Sequence, residues 1–309
     1  MSTIPPKAAA KDNLGRFREI VSDPLNLLIE RAPGAGLVSP DGLVTLHNGV
    51  QVPFSGEHAY YEGFSDVLVI NRGVHEPLEE FVFQEVLRLM PERPVMMELG
   101  AYWGHYSMWL NKVRPHAQNW LVEPNGHNLE IGRRNFERNG MTGEFIRSSV
   151  RKGGFEVDRY LAKRRIGRLD ILHADIQGFE LEMLDGAADT LRARKADYVF
   201  VSTHSAELHD GVKAALAGHG YRVEISSDFD NETTSFDGLV FASSPAKPAV
   251  FGGFAPLGRL EICASSAELR VEYVSRALLA RRAIPAATGS AGALSRLQAA
   301  VRGRLGLAL

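Results

Sequence analysis

The sequence predicts an α/β fold: a mostly parallel sheet, doubly wound with helices and finished by an antiparallel edge strand. A small β-containing cap precedes it and a helical extension follows. Three observations carry this reading. Short apolar runs alternate with runs at helical spacing between residues 95 and 217, the pattern of strand–helix–strand crossovers. Two last strand-like runs, residues 221–225 and 238–242, have no helix-length interval between them, which suits an antiparallel pair. Residues 95–109, Val-Met-Met-Glu-Leu-Gly-Ala-Tyr-Trp-Gly-His-Tyr-Ser-Met-Trp, pass from a buried strand through a turn with two glycines into a helix.

The elements follow in order. Up to about Asp23, Pro5-Pro6, an alanine run and mixed charges suggest a loosely held arm. Strand-like runs then flank His47-Asn48-Gly49, and Asn-Gly in that setting marks a hairpin. Pro77 suits a first helical turn and the carboxylates after it suit the positive end, with Phe81, Val82, Val86 and Leu89 at helical spacing. Pro91 and Pro94 close that helix and lead into the central strand. Residues 119–125, 143–149, 169–175 and 198–204 are the next strands, with helices between them and over 212–217. From Val271 the chain is rich in arginine (Arg276, Arg281, Arg282, Arg296, Arg302, Arg304), while Leu294, Leu297, Val301 and Leu305 recur on one helical face. Such a segment suits an anionic membrane surface or a protein partner. A helical pair packed on the enzyme or a second subunit is the plainer reading, and it leaves room for a homo-oligomer. The predicted divisions are 1–74 for arm and cap, 75–245 for the main domain and 246–309 for the basic extension.

Bulk properties narrow the function. A net charge of −2 over 309 residues argues against a general nucleic-acid binder. Cys263 is the one cysteine, so neither an internal disulfide nor a cysteine-based zinc cluster can form, and a cytoplasmic setting fits. No run has signal-peptide character or the length to span a bilayer.

Chemistry concentrates at the strand ends. Glu98, Gly100 and Gly104 form Glu-x-Gly-x-x-x-Gly, which is neither a dinucleotide fingerprint nor a P-loop. The methionine part of S-adenosylmethionine (SAM) carries an ammonium, a carboxylate and a sulfonium. Glu98 can serve its cationic side, and the helix start near Gly104 its carboxylate. The plainer alternative is that both glycines serve the turn alone. Glu123, about 20 residues on at a strand end, can accept both ribose hydroxyls, or be a surface acid before Pro124. Ser148 and Ser149 end the next strand, where an adenine would rest, though serines there are often only turn formers. Asp175 ends the fourth strand, with Gln177, Gly178 and Glu180 immediately after it. It could hold the acceptor hydroxyl, bind a divalent cation, or cap the following helix. His204, at the fifth strand end, should lie beside it; a neutral imidazole there takes a proton from the hydroxyl, the alternative being a histidine bonded to backbone. His173, earlier in an apolar strand, ranks below it.

Glu76-Pro77, then Glu98-Leu-Gly-Ala-Tyr-Trp-Gly-His-Tyr-Ser107, Val122-Glu-Pro-Asn125, Leu169-Asp-Ile-Leu-His-Ala-Asp-Ile-Gln-Gly-Phe-Glu180 and Met183-Leu-Asp-Gly186 resemble the FkbM family of SAM-dependent methyltransferases. The resemblance covers about residues 76–242. It implies a class I methyltransferase (Rossmann-like) fold, SAM as donor, and O-methylation of a hydroxyl on a sugar, polyketide or other secondary metabolite. Family members more often have Asn at Tyr102, Lys near His173 and Glu at Gln177. Residues and resemblance together assign the cofactor to Glu76, Glu98, Gly100, Ala101, Tyr102, Gly104, Tyr106, Ser107, Glu123, Pro124, Asn125, Ser148, Ser149 and Asp175. The substrate goes to Gln177 and Glu180, and the chemistry to Asp175 and His204. In a metal-assisted variant, magnesium joins Asp175 to Asp228, Asp230 or Asp237. Competing readings are N-methylation of a macromolecule, against which stands the lack of an Asn/Asp-Pro-Pro-Tyr/Phe signature, and a SAM-binding protein without catalysis.

Overall fold

Alternation along the hairpin sequence gives the first sheet of the computed structural model, which describes residues 13–60, 64–227 and 232–281. Strands β1 (Leu43–Thr45) and β2 (Gln51–Pro53) pair antiparallel with Val44 opposite Val52. The turn works as the Asn-Gly pair requires: Asn48 Oδ1 accepts from the Val50 amide at 3.0 Å, and Gly49 takes φ +82°.

The apolar runs that follow become β3 (Val95–Leu99), β4 (Gln118–Val122), β5 (Glu144–Ile146), β6 (Leu169–Ala174), β7 (Ala196–Thr203), β8 (Arg222–Ser227) and β9 (Gly238–Ser243). They form one sheet in the order β5-β4-β3-β6-β7-β9-β8. Strands β3 to β7 run parallel, and β9 is antiparallel to both its neighbours, inserted between β7 and the edge strand β8. The chain leaves β3 toward β4 on one side and returns through β6 on the other. That reversal opens a crevice beyond the carboxyl ends of β3 and β6, where open α/β sheets bind ligands.

The helices are α1 (Asn13–Ser22), α2 (Asp66–Ile70), α3 (Pro77–Leu87), α4 (His105–Val113), α5 (Gly126–Arg138), α6 (Val157–Arg164), α7 (Glu180–Asp185), α8 (Ala188–Arg192), α9 (Ala206–Gly218), α10 (Arg259–Ala264) and α11 (Ala267–Ala280). Side chains alternate between sheet faces at period two. Met96, Ile171, Phe200 and Phe241 pack on one face against Phe81, Phe83, Tyr106, Phe251 and Tyr273. Met97, Leu172, Val199 and Val240 pack on the other against Leu161, Met183, Leu191 and Leu216. Two residues further along the first face, the apolar row gives way to Glu98, His173 and Ser202, all buried. This polar row lies at the carboxyl ends, and α3 answers it: Glu79 Oε1 sits 2.6 Å from His173 Nε2, and Ser202 Oγ donates to Glu79 Oε2 at 2.8 Å.

One stretch differs from expectation. The arm before Asp23 holds a helix over Asn13–Ser22 whose Phe17 and Ile20 are buried with Val44 and Phe64. Two of its charged residues have tertiary partners: Arg16 Nη2 donates to Ser235 O at 3.3 Å, and Glu19 Oε2 accepts from Arg259 Nη1 at 3.0 Å. At the other end, α11 packs Tyr273 and Ala277 into the first-face core, and Arg281 Nη1 donates to Glu85 Oε1 at 2.9 Å. The leucine face around Leu294 to Leu305 lies outside the described residues. Among the described residues no helix is long and apolar enough to cross a membrane.

Candidate active site

The β3–α4 turn sets the floor of the crevice. Gly100 has φ +74°, and a Cβ there would stand 1.7 Å from the backbone oxygen of Asp175. Glycine is therefore needed because the ends of β3 and β6 touch, as Asp175 N–H donating to Leu99 O at 2.9 Å also shows. Gly104, φ +80°, is the N-cap of α4. Between them Tyr102 takes φ +44°, a left-handed conformation that disfavours a bulky side chain; Gln177, at the facing rim, takes φ +49°.

Glu98 is buried and accepts from the Tyr106 amide (3.3 Å) and the Ser107 amide (3.0 Å). Burial raises its pKa, partly opposed by His173 and these bonds. Two of the helix-start amides that could meet a ligand carboxylate thus donate to Glu98, because a buried carboxyl must be satisfied first. Glu123 accepts from the Tyr102 amide at Oε2 (3.1 Å) and the Asn125 amide at Oε1 (2.9 Å). It stands one strand over from Glu98. Tyr106 Oη donates to Glu76 Oε2 at 2.6 Å, and burial pushes Glu76 up to about 8.

Across the crevice, His204 bridges two acids. Its Nδ1 lies 2.6 Å from Glu180 Oε1, and its Nε2 lies 3.3 Å from Asp175 Oδ1. Burial alone would favour the neutral ring, but the bonds to Asp175 and Glu180 outweigh it and raise the pKa to about 10. The two acids favour the protonated ring over the neutral imidazole expected from the sequence. Asp237 stands near this pair and is pushed up to about 6 by burial, opposed by a bond from Thr233.

Glu76, Glu98, Glu123, Asp175, His204 and Asp237 line one cavity of about 630 Å³. Of the residues expected at the site, Glu76, Glu98, Gly100, Ala101, Tyr102, Tyr106, Glu123, Pro124, Ser149, Asp175, Gln177 and His204 line it. Gly104, Ser107, Asn125, Ser148 and Glu180 do not. Asn125 instead caps α5 by accepting from the His127 amide, and fully buried Glu180 supports His204 from beneath. The sequence reading missed Tyr60, His75, Trp103, His105 and Phe179, which also line the cavity. Trp103, His105 and Phe179 lie inside the quoted motifs and His75 adjoins one, a signal that was legible; Tyr60 comes from the cap and was not.

The residues fit SAM. Two carboxyl groups on neighbouring strand ends face a cavity of cofactor size. Magnesium at Asp175 does not fit as well, because an imidazolium already lies against that carboxyl and repels a second cation. Asp228 and Asp230 lie outside the described residues. Among those described, the carboxyl and imidazole groups close enough to share an ion are His47, Glu80 and His105.

Residues 73–223 match the family model described as the methyltransferase FkbM domain. A search of the curated proteins found none that matches. Similar solved structures include precorrin-6y C5,15-methyltransferase from Geobacter metallireducens GS-15, 16% identical over 52% of this chain and 84% of that one, TM-score 0.38. TrmK of M. capricolum, solved with S-adenosyl-homocysteine, is 15% identical over 73% and 97%, TM-score 0.40. Ribosomal protein L11 methylase from Lactobacillus delbrueckii subsp. bulgaricus is 13% identical over 53% and 77%, TM-score 0.40.

Proposed function

We propose that the chain, whose residues 73–223 match the methyltransferase FkbM domain, is a SAM-dependent methyltransferase that methylates a hydroxyl oxygen of a small polar acceptor. Bound SAM supplies a methyl group on a sulfonium, which passes in line to a nucleophile as the nucleophile loses its proton. The observation that carries the oxygen reading is the Asp175–His204–Glu180 array at the cavity rim. A hydroxyl is a weak nucleophile until a base takes its proton, and a carboxylate held at a fixed angle is a suitable base.

Each residue has a distinct part. Asp175, the more open of the pair with 39% of its side chain exposed against 27% for His204, accepts the acceptor's hydroxyl proton. His204, protonated, orients Asp175 and keeps its charge balanced. Glu180, fully buried, fixes the ring from its other nitrogen. Glu98 and Glu123 orient the cofactor, and Tyr60, Trp103 and Phe179 restrict water at the wall.

The test is turnover of labelled SAM against hydroxyl-bearing metabolite pools, with the product bond identified by mass spectrometry. An O-methyl product is expected, lost about 10²-fold or more in Asp175→Asn. Calorimetry should show S-adenosylhomocysteine still bound by that variant. Products methylated only on nitrogen, or a fully active Asp175→Asn, would overturn the assignment.

A further inference from the structure

We propose that His47, Glu80 and His105 form a site for a divalent transition-metal ion of the zinc type, in the wall between the N-terminal cap and the cofactor cavity. The three come from separate elements. His47 follows β1 in the hairpin, Glu80 is in the first turn of α3, and His105 opens α4. One ligating atom from each lies within 4.8 Å of the other two. All are buried, at 1%, 0% and 3% exposure.

The second observation is that ring nitrogens in this cluster lack hydrogen-bond partners. His47 Nδ1 and both ring nitrogens of His105 are buried without a hydrogen-bond partner. His47 Nε2 is 3.0 Å from Glu80 Oε2, an ion-pair contact that an ion between them would replace, and His105 Nε2 is 3.7 Å from Glu80 Oε1, beyond hydrogen-bond reach. Buried polar atoms without partners are rare and call for an explanation. Ligands of a tetrahedral ion at ordinary zinc bond lengths stand about 3.3 Å apart, a value these two separations bracket. Two imidazoles and one carboxylate select a borderline ion such as zinc over magnesium or calcium, which prefer oxygen alone. His75, whose Nδ1 stands 2.6 Å from Glu80 Oε1, is placed to steady the carboxylate, as outer partners of metal ligands do. His75 and His105 also line the cavity, so an ion here joins the cap to the cofactor wall.

The proposal is independent of the acceptor and of Asp175. Its test begins with metal analysis of the full chain, grown with zinc and freed of loose ions by gel filtration. About one zinc per chain is expected, falling at least fivefold in His47→Asn and His105→Asn but unchanged in Asp175→Asn. Should the histidine variants fail to fold, the folded wild type decides: stripped by chelator and given cobalt(II), it should show the visible absorption of a tetrahedral centre. Less than about a tenth of an ion per chain with no cobalt spectrum overturns the proposal. So does metal retained undiminished by folded His47→Asn and His105→Asn.

Discussion

His204 shows how one residue's charge follows from two neighbours. Its folded pKa of about 10 lies above the ordinary 6.5, so the folded protein holds that proton more tightly than the unfolded chain. The stability this gives is complete below pH 6.5 and is lost as pH rises from there through about 10. Chemical unfolding across that range should show stability falling with pH in the wild type, with a smaller slope in His204→Gln. The His204 ring proton signal, followed by NMR, should titrate near 10; a midpoint near 6.5 would return the ring to the role of neutral base. Tyr102 makes a second case. A left-handed conformation costs most side chains about 1–2 kcal/mol, while Asn tolerates it. Tyr102→Ala and Tyr102→Asn both lose the ring contacts with Tyr60 and Trp103, so their difference isolates the backbone. Asn should be the more stable by about 0.5–1 kcal/mol in urea unfolding, and equal stabilities would show that strain does not govern the position. Asp175 and His204 were legible in the sequence because strand ends announce themselves. The charge on His204 was not, since Glu180 reaches it only through the turn into α7.

At the scale of elements, α3 is the least legible part of the fold. Phe81, Val82 and Val86 mark a helix with one buried stripe, yet all eleven of its residues are buried. The cause lies far along the chain. Gln84 exchanges bonds with Leu28 and Glu30, and Glu80 is covered by His47 and His75, so the cap seals the face that the sheet leaves open. Glu79 faces the sheet, and burial raises its pKa well above the usual carboxyl range, against the bond from Ser202. A protonated carboxyl resembles an amide in shape and bonding. Glu79→Gln should therefore cost less than about 1 kcal/mol, whereas Glu79→Ala, stranding His173 and Ser202, should cost about 2–4 kcal/mol. Denaturant midpoints measure both, and equal losses would mean the carboxylate charge itself is required. The parallel strands, by contrast, were readable as near-continuous apolar runs, because both faces of that sheet are covered.

For the whole molecule, the question is what holds the two ends of the described chain on the methyltransferase domain. Composition alone marked both as appendages, but neither behaves as one in the cores: Leu25 and Ile29 from one end share a cluster with Phe254, Tyr273 and Ala277 from the other. Arg259, 1% exposed, joins the same regions electrostatically. Its Nε donates to Glu232 Oε2 at 2.7 Å and its Nη1 to Glu19 Oε2 at 3.0 Å, while its guanidinium lies 4.7 Å from the Phe236 ring centroid. No local pattern announces such a residue, because its partners are 240 and 27 positions away. Phe236 also lines the cavity, so this tie reaches the site. Removing the cation but keeping its bulk, as in Arg259→Met, leaves two carboxyl groups buried without their counter-charge, a loss of about 3–5 kcal/mol. Unfolding should show that drop, and limited proteolysis should cut first near α1 and α10 while the parallel sheet stays protected. The double variant with Glu19→Gln should recover part of the loss, because one stranded charge is then gone. If Arg259→Met unfolds at the wild-type midpoint, the ends are held by apolar packing alone, and the cavity wall at Phe236 owes nothing to the ion pair.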